Sequence, residues 1–160
     1  MAEKPAFRDA LAHGRCIVPA SGYYEWQSGY DKRKQPYFIS LADGRPMALA
    51  GLCTIWSGPN GEEVDTVATI TLAANTQMAE IHDRMPAIIR PEHIDDWLDV
   101  RGVGAGAALD LIAPLPEGTL KFHPVSNRVN SANIDEPDLI VPVQPDLPPQ
   151  RPRPRQMDLF

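Results

Sequence analysis

Long apolar runs are missing from this sequence. No stretch approaches the ~20 consecutive apolar residues of a membrane span, and residues 1–15 lack the apolar run of a secretory signal. Cysteine is scarce: Cys16 and Cys53 sit in apolar segments with no CxxC or Cys/His spacing. A zinc site and a disulfide framework have no support, and a reducing cytosol is the simple reading. Both cysteines read as small apolar packing residues. No P-loop, GxGxxG, HExxH or GxSxG motif occurs, so nucleotide, zinc-protease and α/β-hydrolase readings have no support. A basic excess is absent as well. The net charge of −6 argues against bulk coating of nucleic acid, though it leaves room for a small local basic cleft.

What is present is an ordinary globular composition, 43% hydrophobic and 22% charged over 160 residues, enough for one domain with a core. Of the 17 prolines, six fall in the last 20 residues, "VPVQPDLPPQRPRPRQMDLF". Such a run forms neither helix nor central strand, so residues 143–160 are expected to be a disordered, extended tail behind a folded unit of residues 1–142. Within that unit, "KPAFRDALAHG" predicts a helix with proline in its first turn and glycine at its stop. "RCIVPASGYYEWQ" predicts strand, bend, strand. "PYFISLADGRPMALAGLCTIW" reads as a hairpin turning at Asp43–Gly44, with a central strand from Met47 to Trp56. "VDTVATITLAA" is a further strand. An Asn-capped short helix, an "AIIR" strand, a helix opened by Pro91 with Ile94, Trp97 and Leu98, and a helix at "GAGAALDLI" follow. "TLKFHPVS" and "DLIVPV" close the unit as strands. The order of elements predicts an α+β domain on antiparallel strands.

Two chemical centres stand out. Glu25, in "GYYEW", is on alternation grounds either a solvent-facing strand residue or an acid held in an aromatic wall, able to give and take a proton. Tyr24 and Trp26 share one face of that strand, and Tyr23 and Glu25 the other. His82, in "EIHDRMP", either caps a helix or belongs to a polar loop cluster of the kind that carries chemistry.

Their setting is specific. "RCIVPASGYYEW", "PYFISL", "ALAGLCTIW", "TITLAAN…MAEIHDRMPAII" and "HPVSNRVNS" resemble, in order and spacing, the SRAP family of SOS-response-associated peptidase proteins. The resemblance covers residues 4 to about 141 and implies antiparallel sheets in a barrel-like core flanked by short helices. It implies a DNA-repair enzyme that senses abasic sites in single-stranded DNA and forms a reversible covalent crosslink, a thiazolidine on an N-terminal cysteine, after autoproteolytic removal of methionine (hydrolase, peptidase and lyase-like chemistry). No cofactor or metal is implied. In that reading Glu25 and His82 are catalytic. Arg84 holds a phosphate, and Trp26, Met85 and Pro86 offer apolar surface to unstacked bases. The compartment is cytoplasmic, at the nucleoid.

One departure matters. Family members begin Met-Cys-Gly-Arg and reach an Asn-Ala-Arg run before "KPAF", whereas this sequence begins "MAEKPAF". Either the start is misassigned or the product is short, and a short product is expected to leave open sheet edges and an exposed apolar face. That departure keeps a second reading open, a non-catalytic adaptor for single-stranded DNA and the sliding clamp. The terminal "QMDLF" has the form of a clamp-binding peptide, with Gln156 at a pocket rim and Leu159 and Phe160 inserted. A general peptidase ranks below both, because no nucleophile–base–orienter set is visible.

Overall fold

A computed structural model describes residues 5–29 and 33–145. The expectations for the tail beyond residue 145, including Gln156, Leu159 and Phe160, lie outside the described residues.

Helix α1, Pro5–His13, ends where Gly14 donates back to the Ala10 carbonyl at 2.7 Å. Gly14 is required there, since a Cβ would stand 2.1 Å from the Cys53 carbonyl oxygen. Strands β1, Arg15–Ala20, and β2, Tyr23–Ser28, follow on either side of the expected bend. They enter different sheets. β1 pairs with β4, Met47–Ser57, which pairs with β5, Glu63–Thr69. β2 pairs with β3, Lys34–Leu41, which pairs with β8, Leu120–Pro124. A third ribbon joins β6, Thr71–Ala73, to β7, Arg84–Pro86. Every pairing is antiparallel.

The hairpin expected around Asp43–Gly44 is therefore a turn between sheets. Gly44 takes its positive φ of 77° and bonds back to Leu41, but Ala42 already bonds to Thr119, continuing the β3–β8 pairing. Past Pro46 the chain crosses to β1. The burial of Met47 through Leu52 on both faces explains the unbroken apolar run better than a hairpin would. The "AIIR" segment is extended but forms no strand of a sheet. It lies against β4 through Ala50 N–H to Ala87 and Ile89 N–H to Ala48, both 2.8 Å. "DLIVPV" is a 3-10 turn, Pro137–Ile140, not a strand.

The first sheet separates two cores. One gathers Leu11, Ala50, Leu52, Ile70, Ile89 and Trp97 beneath α1, α2 (Ile94–Leu98) and α3 (Ala105–Asp110). The other, with Ile39, Met47, Leu49, Met78, Ile81, Met85 and Leu120, fills the space between the two larger sheets. The α+β expectation with short helices holds. The barrel does not: among the described residues the sheets are open, with β1, β5, β2 and β8 at their edges.

Candidate functional site

Strand alternation sorts β2 into two faces. Tyr24 lies 5.5 Å from the Phe38 ring, and Trp26 donates its indole N–H to Asn130 Oδ1 at 2.7 Å. Tyr23, on the opposite face, packs into the core that holds Met78, Ile81 and Met85. Gln27, on the face of Tyr23, donates to the Glu80 carbonyl at 2.7 Å and accepts from the Tyr37 hydroxyl at 3.2 Å. Glu25 stands between Tyr23 and Gln27, opposite Tyr37 in register. It therefore faces the segment that carries His82. The carboxylate is half-buried, and its Oε1 accepts from the Trp26 amide at 3.0 Å. No hydrogen bond joins Glu25 to His82 among the described residues.

His82 follows the 3-10 turn Met78–Glu80, which Asn75 caps by accepting from the Met78 amide at 2.9 Å. Ile81 is buried and anchors the segment, while the His82 side chain is 42% exposed. Its Nδ1 lies 3.1 Å from the Arg84 amide and 3.2 Å from an Asp83 carboxylate oxygen. Nδ1 also lies 3.3 Å from the Arg84 carbonyl. Where Nδ1 accepts from the amide, the neutral ring carries its proton on Nε2, and in the imidazolium Nδ1–H turns to Asp83 or to that carbonyl. All of these contacts fall on Nδ1, and none of them engages Nε2.

The Arg84 guanidinium is tied to β6. Its Nε donates to Thr71 Oγ1 at 2.9 Å, and Nη2 reaches both the Thr71 carbonyl, at 2.8 Å, and the same hydroxyl. Nη1 makes none of these bonds. Of the residues expected to meet bases, Met85 is 1% exposed and belongs to the core, so it offers no surface. Pro86 is half-buried, paired with Thr71. Trp26 lies on the other face of the sheet from Glu25. Because β2 is an edge strand, both faces meet along its free side.

Burial, then the Glu25 carboxylate, pushes the Tyr23 hydroxyl up in pKa. Burial, then Glu80, does the same to Tyr37, so both stay protonated donors near neutrality. The Tyr23 hydroxyl is the one buried side-chain polar atom lacking a hydrogen bond among the described residues. Cys16 is half-buried, and its thiol is raised first by burial and then by Cys53, which disfavours the thiolate. Cys53 is exposed, against the packing role expected of it, and its thiol donates to the Gly14 carbonyl at 3.2 Å. Among the described residues no three His, Cys, Asp or Glu side chains gather as a metal site, and no helix is long and apolar enough to cross a membrane.

The sequence matches the family profile described as SOS response associated peptidase (SRAP) over residues 1–132. The chain belongs to the SRAP family. It is 36% identical over 140 residues to the abasic site processing protein YoqW of Bacillus subtilis, covering 88% of this chain and 62% of YoqW. It is also 36% identical over 169 residues to the abasic site processing protein HMCES of Gallus gallus, covering 92% of this chain and 49% of HMCES. A crystal structure of a protein from Bacteroides thetaiotaomicron superposes with a TM-score of 0.81 at 28% identity, over 89% of this chain and 62% of that one. The chain thus spans about three-fifths or less of the length of these relatives.

Three residues of this candidate site escaped the sequence reading. Gln27 was available to it, two positions after Glu25 and so on the same face of a strand. Tyr37 and Thr71 were not, because the register that sets them opposite Glu25 and Pro86 depends on which strands pair.

Proposed function

We propose that this domain carries the proton-handling part of an abasic-site processing centre acting on single-stranded DNA. The observation that supports it most is the hydrogen bond from Gln27 to Glu80, which sets the Glu25 strand and the His82 segment side by side. The ring-opened sugar presents an aldehyde. In the family's chemistry the α-amine of an N-terminal cysteine, outside this sequence, adds to that carbon. Loss of water gives the Schiff base, and addition of the cysteine sulfur closes a thiazolidine. Glu25 takes the proton the amine must lose and returns it to the departing hydroxyl. His82 donates from Nε2 to the sugar oxygen as the ring opens, and the same transfers run backward release the DNA. In a form that carries that cysteine behind an initiator methionine, Glu25 also assists removal of the methionine. Arg84 turns Nη1 to a phosphate of a strand running along the free side of β2, where Trp26 and Pro86 flank it.

The terminal Gln156, Leu159 and Phe160 bind the sliding clamp in this reading, which suits a protein working at the nucleoid of a bacterial cytoplasm. A second reading is an adaptor that binds clamp and single-stranded DNA without forming a bond.

The two separate on one experiment. An abasic single-stranded oligonucleotide is incubated with this chain, and with the chain extended at its N-terminus by a family segment beginning Met-Cys-Gly-Arg. Intact mass is then read. The extended protein gains the mass of one oligonucleotide less water, and Glu25→Gln or His82→Ala slows the gain by about 100-fold or more. A stable adduct on the unextended chain, or full rates in both variants, defeats the proposal.

A further inference from the structure

A carboxylate and an imidazole on separate elements cooperate only if something fixes their spacing, and core packing between the two elements, through Tyr23, Met78, Ile81 and Met85, stops short of Glu25 and His82. Ile81 is buried, but Glu80, His82 and Asp83 on either side of it are exposed. The segment bonds to its own chain through His82 N–H to the Met78 carbonyl, at 3.0 Å, and Ala74 N–H to the Asp83 carbonyl, at 2.9 Å. Between β2 and residues 78–86 there is one hydrogen bond among the described residues, from Gln27 Nε2 to the Glu80 carbonyl. A primary amide could turn over and present its oxygen instead, which would repel that carbonyl. Tyr37 prevents this by donating to Gln27 Oε1. The same burial and Glu80 charge that raise the Tyr37 pKa keep it a donor.

We propose that Gln27, oriented by Tyr37, is a positioning residue that latches the His82 segment to the Glu25 strand and sets the width of the cleft between them. The inference rests on the abasic-site reading above for its function, though not for its existence. The latch acts through His82 and Glu25 and need touch no substrate.

Gln27→Glu isolates the latch, because it keeps the shape and the oxygen bonded by Tyr37 but turns the donor into an acceptor facing the Glu80 carbonyl. At about pH 7.5 amide exchange across residues 80–84 rises by about fivefold or more, and Tyr37→Phe gives a smaller rise. Binding to a single-stranded oligonucleotide carrying a tetrahydrofuran abasic analogue weakens by a similar factor relative to the unsubstituted protein at the same pH. Near about pH 4.5 the introduced carboxyl takes up a proton, regains a donor, and the deficit closes. A merely structural side chain would not show that pH-dependent rescue. Unchanged exchange in Gln27→Glu overturns the latch. Faster exchange with unaltered binding at both pH values overturns its role in the site. An unsubstituted protein that binds the abasic strand no better than an undamaged one overturns the abasic-site reading instead, and the exchange result then still decides the latch.

Discussion

Arg15 shows what a single side chain can hold together. It is 5% exposed, and its guanidinium donates to four backbone carbonyls: Leu11 at 3.0 Å, Trp97 at 2.6 Å, Asp99 at 2.8 Å and Val103 at 2.7 Å. It also lies 5.8 Å from the centre of the Trp97 ring. Burial lowers its pKa, and the Asp99 charge pulls the other way. These carbonyls belong to α1, to the end of α2 and to the loop after it, and of the four the Asp99 carbonyl also accepts from the Val103 amide at 3.0 Å. A lysine has no planar fork and cannot serve four acceptors. Arg15→Lys is therefore expected to cost about 2–4 kcal/mol in chemical denaturation, because buried carbonyls lose their donors. A variant as stable as the parent would show that water can replace the guanidinium.

At the scale of elements, β4 changes character along its length. Met47 through Leu52 is enclosed between the two cores, whereas residues 53–57 and β5 form a ribbon open to solvent. Ile55 and Val67, each 58% exposed, lie on one face, and the half-exposed Trp56 and Val64 lie across from each other on the second. An unpaired strand edge carrying exposed apolar side chains is a surface open to association. Exposed apolar side chains contribute little to the fold of the domain itself. Ile55→Thr with Val67→Thr should shift the unfolding free energy by less than about 1 kcal/mol. The double variant should also reduce self-association in sedimentation velocity. A large loss of stability would mean that the ribbon is packed in solution.

For the whole molecule, the tyrosines set a limit at high pH. Tyr23, Tyr24 and Tyr37 all have raised pKa values, burial being the first cause in each, against an ordinary value of 10.0. The sign follows from linkage. Below about pH 10 these phenols are neutral folded or unfolded, and the stability they permit is intact. As pH climbs from the unfolded value toward the raised folded values, the unfolded chain ionises first and gains, so the native state weakens. Thermal midpoints should be flat from neutrality to about pH 9 and fall beyond about pH 10. Tyr23→Phe should make that fall shallower. It should not lower stability at neutral pH, since the hydroxyl it removes has no hydrogen-bond partner. An unaltered alkaline limb would remove Tyr23 from the explanation.

Local chemistry was readable from the sequence. Pro5 and Gly14 bound α1, the bend after Pro19 divides β1 from β2, and alternation along β2 divides Trp26 from Glu25, because the constraints on backbone angles and on side-chain direction reach only a few residues. The pattern "GYYEW" with "HDRMP" also sufficed to anticipate the family to which the chain belongs. Which strands pair was not local. β3 and β4 look like a hairpin because a turn of the right composition joins two β-rich runs, yet the unbroken apolar stretch of β4 gains more by lying between two cores than by pairing with its neighbour. That choice buries Met85 and brings Gln27 to the carbonyl of Glu80. Sequence determined which groups the site has to work with; the long-range burial of apolar surface decided which of them meet.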